Sequence, residues 1–333
     1  MASGSDGPFR PLPLLGNPHL QTILGTFWRG RPFLRPSARR LVALPDGDRL
    51  LLSDSAPPGW PAGGPVAVLL HGMGGTRRSG YVQRLAGLLT AAGVRVVRVD
   101  LRGNQFSLHL ARRFYHAGLS ADVRAVVEYL AELCPGSPVD LVGYSLSGNM
   151  ALKLAGEAAD NPLPNLARVA AVAPPIDLER CAAMLGEPRN RIYDRHFSRG
   201  LAHLARLRAR HHPDQPLPTF PGRLTVRLFD DLYTAPRWGF ADALDYYRRS
   251  SAAPLVPRIR VPTLILTARD DPFIAVAPFE ELSCAPHVTV EVVPRGGHLG
   301  YLGWSSGRVV RWAEHRIAAW LTRPADPERL TNA

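Results

Sequence analysis

The segment Val139-Asp140-Leu141-Val142-Gly143-Tyr144-Ser145-Leu146-Ser147-Gly148-Asn149 reads as a buried strand running directly into a helix, with a serine at the junction. A serine so placed sits on a strained turn, and the residues two before and two after it must be small for strand and helix to approach. Gly143 and Ser147 meet that demand, although the second glycine of the common G-x-S-x-G pattern is displaced by one place, to Gly148. A serine hydroxyl is a weak nucleophile unless a base activates it and a third group orients the base. Both are legible downstream. The strand Leu264-Ile265-Leu266-Thr267 ends in Asp270-Asp271-Pro272-Phe273, and the strand Val288 to Val293 ends in Gly296-Gly297-His298-Leu299-Gly300, whose glycines let a loop carry an imidazole back over the serine. Serine, acid and histidine in that chain order, each at a strand end, form the constellation of acyl transfer. Asp271 is the expected acid, because proline and apolar residues follow it directly, and Asp270 stands as the alternative.

Acyl transfer also needs donors for the developing oxyanion. The backbone N–H of Leu146, directly after the nucleophile, is one. The second is expected from the glycine-rich turn His71-Gly72-Met73-Gly74-Gly75, at Met73. That turn lacks the GK[ST] of a nucleotide-binding loop and the spacing of GxGxxG, so a phosphate cradle is not the reading.

These residues require a sheet to hold them, and the patterning supplies one. Two short strands, Arg40 to Leu44 and Arg49 to Ser53, flank Pro45-Asp46-Gly47-Asp48, a tight hairpin turn. From Pro65 onward, runs rich in Val, Leu and Ile (Val66 to Leu70, Val94 to Val99, Val139 to Val142, Val169 to Val172, then Pro262 to Thr267 and Val288 to Val293) alternate with helical patterns. Uninterrupted apolar strands between amphipathic helices predict a mostly parallel sheet of about eight strands, covered on both faces. The expected organisation is one α/β domain over 1–333, with an irregular N-terminal arm at 1–38. A mostly helical insertion, Ile176 to Val256, caps the strands' C-terminal edge, and a last helix runs from Gly307 to Leu321. Ile23, Leu24, Phe27, Trp28, Phe33 and Leu34 of the arm are read as packing on the core, with a membrane-surface role as the alternative.

Apolar residues make up 46% of the chain and charged residues 20%, ordinary for a globular protein. The formal charge of +12 raises nucleic-acid binding, but Lys153 is the only lysine among 40 basic residues and the arginines are spread along the whole chain. A scattered charge argues against a nucleic-acid footprint and leaves attraction to anionic substrates or lipid surfaces. Cys134, Cys181 and Cys284 are odd in number and have no paired spacing, so neither a disulfide framework nor a zinc site is encoded, and a reducing cytoplasm fits. His196, His203, His211 and His212 lack companion carboxylates at ligand spacing, and no metal or cofactor is expected. Cys181 has no strand-to-helix turn around it and is read as a small buried residue. No signal peptide and no membrane span are read from the sequence.

With those residues in view, the chain resembles the α/β-hydrolase superfamily, and within it the YheT-type hydrolases and the related embryogenesis-associated and ABHD-type lipases. The resemblance rests on Gly16-Asn17-Pro18-His19-Leu20-Gln21-Thr22, His71 to Gly75, Asp100-Leu101-Arg102-Gly103, Tyr115-His116-Ala117-Gly118 and Gly143 to Asn149. It continues in Phe229-Asp230-Asp231, Thr234-Ala235-Pro236, Tyr246-Tyr247, Asp270-Asp271-Pro272-Phe273 and Gly296-Gly297-His298. It implies a charge relay of Ser145, Asp271 and His298 acting on carboxylic esters, lipid-like or of short to medium acyl length. Ser147, where that family usually has glycine, is the one departure. The implied partner is a small-molecule ester, with no nucleic acid; peripheral lipid contact and the oligomeric state are left open. A fold-retaining binding protein without catalysis is the alternative, and a missing triad member would mark it.

Overall fold

The computed structural model describes residues 8–27, 33, 35–305 and 308–323. Eight strands form one sheet: β1 (Ala38–Ala43), β2 (Arg49–Ser55), β3 (Val66–Leu70), β4 (Arg95–Asp100), β5 (Val139–Tyr144), β6 (Leu166–Val172), β7 (Thr263–Ala268) and β8 (Val288–Val293). Their spatial order is β1-β2-β4-β3-β5-β6-β7-β8. The β1–β2 and β2–β4 pairs are antiparallel and all the others parallel. The first two strands turn at Pro45–Asp48, where Gly47 takes φ +86° and donates to Leu44 O. Every residue of β3, β5 and β7 is buried, as parallel strands between two helical layers must be.

Two apolar cores result. One face of the sheet meets α2 (Gly80–Ala91) and the C-terminal helix α11 (Trp312–Thr322); the other meets α3 (Ser120–Leu133) and α4 (Leu146–Glu157). Each fully buried Val or Leu contributes about 1.5–3 kcal/mol, so these layers hold the sheet edges, and hence the loops on them, in fixed register.

Between β6 and β7 the chain forms α5 (Leu178–Leu185), α6 (Arg191–His211), α7 (Val226–Phe229), a π turn (Asp230–Thr234), α8 (Ala235–Trp238) and α9 (Ala243–Ser250). Asp177, Thr225 and Asp242 cap α5, α7 and α9 by accepting N–H groups three residues on. In α6 the buried positions Asp194, Ser198, Leu201, Ala202, Ala205 and Arg208 form one stripe at helical spacing. A short α10 (Ala277–Glu280) follows β7.

Three expectations differ from the structure. The arm is not irregular throughout: Pro18–Phe27 forms helix α1, opened by Asn17, whose Oδ1 accepts from the N–H groups of His19 and Leu20, with Pro18 at the first helical position. Ile23 and Leu24, expected to pack on the core, are instead 43% and 37% exposed; Trp28, Leu34 and the Phe27 side chain lie outside the described residues, and Phe33 packs beside α2 under Arg98. The last helix starts at Trp312. The residues before it form a hairpin, β9 (Leu302–Ser305) with β10 (Arg308–Arg311), so Val309 and Val310 act as β-branched strand residues rather than as a helical turn. Among the described residues, no helix is long and apolar enough to cross a membrane.

Candidate active site

Ser145 lies between the last residue of β5 and the first of α4, at φ 53° and ψ −122°, a backbone state that only tight packing sustains. The packing is visible at Gly143, where an added Cβ would sit 2.3 Å from Ser147 O. Ser147 is fully buried and ties the turn down: its hydroxyl accepts from Tyr144 N at 3.0 Å and reaches Leu70 O, the end of β3, at 3.0 Å. The departure from glycine thus adds a hydrogen bond between neighbouring strand ends.

The loop after β8 brings His298 to the serine, with Nε2 3.0 Å from Ser145 Oγ and Nδ1 2.8 Å from Asp271 Oδ2. Asp271 is 2% exposed, and its other oxygen accepts from the N–H groups of Phe273 and Ile274. The carboxylate is therefore fixed by the residues that follow it. With Nδ1–H given to Asp271, Nε2 is the free acceptor facing the hydroxyl. Asp270 points elsewhere: its Oδ1 accepts from Gly297 N, and burial, with Asp271 beside it, raises its pKa. Of the two acids, the structure brings Asp271 against the imidazole.

The histidine loop is held from a distant part of the chain. Gly297, at φ 55°, lies so close to α1 that a Cβ would meet Pro18 O at 2.4 Å, and the His298 N–H donates to Thr22 Oγ1 at 2.9 Å. A line of rings braces the imidazole: Phe273 packs on it with centroids 4.2 Å apart, Tyr193 of α6 packs on Phe273, and His19 of α1 stacks on Tyr193.

The loop after β3 faces the same point. A Cβ on Gly72 would lie 3.0 Å from Ser145 Cβ, so loop and nucleophile touch. The Gly72 N–H donates to Tyr81 OH, Gly74 N–H to Tyr115 OH at 2.7 Å, and Gly75 N–H to Gly72 O. His71 is fully buried, which lowers its pKa and keeps it neutral. Its Nε2 accepts from Leu101 N, so Nδ1 carries the proton and donates to Gly72 O. Of the amides from Gly72 to Gly75, Met73's alone has no acceptor among the described residues; Leu146 N–H, at the first position of α4, has none either.

Thr22, Tyr81, Tyr115, Tyr193 and Phe273 are absent from a sequence-based list of site residues. Thr22, Tyr115 and Phe273 fall in segments that carry the resemblance and Tyr81 lies nine residues from Gly72, but the contact each makes at the site is set by the tertiary fold, and no local pattern assigns it. Among the described residues, no group of three His, Cys, Asp or Glu side chains is arranged to hold a metal ion. A surface cleft of about 420 Å³ lined by Ala159, Pro257 and His287 borders the starts of β7 and β8, the sheet edge opposite Ser145.

Residues 67–312 match the profile of the alpha/beta hydrolase family. YheT of Escherichia coli (strain K12), assigned as an esterase, is 35% identical over 332 residues, covering 96% of this chain and 94% of that protein. The monoacylglycerol lipase of Saccharomyces cerevisiae is 27% identical, covering 77% of this chain and 59% of that protein. Among solved structures, a 2,6-dihydroxy-pseudo-oxynicotine hydrolase superposes with a TM-score of 0.60 at 18% identity, covering 91% of this chain and 71% of that one, a likeness of fold.

Proposed function

The chain belongs to the alpha/beta hydrolase family, and we propose that it is a carboxylic ester hydrolase working through an acyl-enzyme on Ser145. The observation that carries this reading is the continuous hydrogen-bonded line from Ser145 Oγ through His298 to Asp271. In this mechanism His298 Nε2 takes the hydroxyl proton as Ser145 Oγ attacks the ester carbonyl, and Asp271 holds the imidazole and favours its cation. The Met73 and Leu146 amides receive the oxyanion, each worth about 3 kcal/mol to the transition state. His298 then returns the proton to the leaving alcohol. In the second half it takes a proton from the water that attacks the acyl carbonyl, then gives that proton to Ser145 Oγ as the acyl–oxygen bond breaks and the carboxylic acid leaves.

The helical segment between β6 and β7 supplies Tyr193 to the wall beside His298, so it caps the site and sets the acyl length accepted. The relatives' esterase and lipase chemistry supports short- to medium-chain or lipid-like esters as substrates. Three free thiols suit a reducing compartment, the cytoplasm. The test is turnover of p-nitrophenyl butyrate together with labelling by a fluorophosphonate. Both are expected in the wild type and lost in Ser145→Ala with the fold intact; retained turnover in that variant rejects the assignment.

A further inference from the structure

Helix α1 is built inside out. A surface helix ordinarily turns its apolar stripe to the core. Here the buried positions are polar, Gln21 and Thr22, while Leu20, Ile23 and Leu24 are 43%, 43% and 37% exposed. The polar pair is committed to the fold: Gln21 closes a two-way bridge with the backbone of Leu302, and Thr22 receives the His298 N–H. The outward apolar row has no such partner within the described chain.

More apolar surface adjoins it. Leu14, in the loop before α1, is 96% exposed. On the β9–β10 hairpin, Trp304 and Val309 stand opposite each other in the ladder and both are exposed. The same hairpin is bound to α1, since Arg311 donates to Gly25 O at 3.1 Å and Leu302 pairs with Gln21. Two segments of this region carry charge of one sign, while Glu291 and Glu314, which bracket the second, are paired with Arg316 and Arg84. Residues 8–27 and 292–313 contain Arg10, Arg295, Arg308 and Arg311 and not one Asp or Glu. Arg10, Arg295 and Arg308 are exposed, and none of them pairs with a described carboxylate.

We propose that the outer face of α1, with Trp304 and Val309 of the hairpin, is a docking surface for an anionic lipid bilayer. Apolar side chains that would enter the acyl boundary, ringed by arginines that would meet phosphate headgroups, are the two components of interfacial binding. A second copy of the chain fits less well, because like charges would face each other across a two-fold contact. Docking in this pose puts the headgroups one helix diameter, about 10 Å, from the loop that carries His298. An ester leaving the membrane would then meet the serine without crossing bulk water. The assignment extends the ester-hydrolase reading by naming where its substrate resides.

The experiment is co-sedimentation of full-length Ser145→Ala protein with vesicles of phosphatidylcholine, with or without one-quarter phosphatidylglycerol. Binding is expected to the anionic vesicles and to weaken with salt. The triple variant Leu20→Ser/Ile23→Ser/Leu24→Ser should bind about tenfold less, and Leu41→Ser, an exposed leucine on the opposite edge strand, should bind as the parent does. In the active enzyme the same triple variant should lose turnover of a vesicle-borne ester while hydrolysing p-nitrophenyl acetate at the parent rate. Absent binding, binding unchanged by the triple variant, or a light-scattering dimer that the triple variant dissolves would each overturn the proposal. Vesicle binding by a protein with no esterase activity would support it while sinking the ester-hydrolase reading alone.

Discussion

Thr22 accepts the backbone N–H of His298 at 2.9 Å across 276 residues of chain, so a helix near the N-terminus holds the loop that carries the imidazole. Thr22→Val keeps the shape and removes the acceptor. An orphaned buried N–H costs about 1–3 kcal/mol, and the loop is expected to relax away from Ser145. The expected result is a fall in kcat of about tenfold with KM little changed, restored by Thr22→Ser. Steady-state kinetics on p-nitrophenyl butyrate reads this, and an unchanged kcat in Thr22→Val would show that the loop stands without α1.

The two adjacent aspartates are expected to separate by orders of magnitude. Asp271→Asn should lower kcat by about 10⁴, since the imidazole loses the partner that fixes its tautomer. Asp270→Asn keeps an oxygen able to accept from Gly297 N, and its kcat/KM should stay within about tenfold of the parent. Equal losses in the two variants would contradict this division of labour.

At the elbow, Gly143→Ala places a methyl 2.3 Å from Ser147 O, a backbone atom that cannot swing aside. The variant should lose about 3 kcal/mol or more of stability together with its activity. Ser147→Ala leaves the nucleophile in place but strands Tyr144 N and Leu70 O. Its cost is expected at about 1–3 kcal/mol, with turnover largely kept. Urea denaturation and initial rates measured side by side would expose a reversed ranking.

Stability should fall between acidic and neutral pH because of Asp140. Burial raises its pKa to about 7, with Arg168 only partly offsetting this. The unfolded carboxyl titrates near its ordinary value, about 4, so between there and about 7 the folded chain holds the extra proton. The stabilisation from that proton is complete below the unfolded value and lost as pH rises through the folded one, on the order of 1.4 kcal/mol per pH unit. Asp140→Asn removes this dependence. It should melt higher than the parent at pH 8 and show a flatter melting profile from pH 4 to 7; parallel profiles in the two proteins would refute the assignment.

Much of this chain is locally determined. The β5 run into α4, the small residues at 143 and 147, and the glycines around His298 are all demanded within a few residues of where they act, by backbone sterics and strand burial. The alternation of apolar strands with helices likewise fixed an α/β sheet, because a strand covered on both faces has to be apolar throughout. Other features depend on contacts between segments that no periodicity relates. Tyr81 and Tyr115, from two different segments, occupy two of the loop amides and leave Met73's free. The hairpin at 302–311 competes successfully with a longer helix because Gln21 and Arg10 supply its edge with partners. The orientation of α1, apolar side out, was equally beyond the sequence. A helical pattern says which residues share a face, and only the groups waiting at Leu302 and His298 decided which face turned inward.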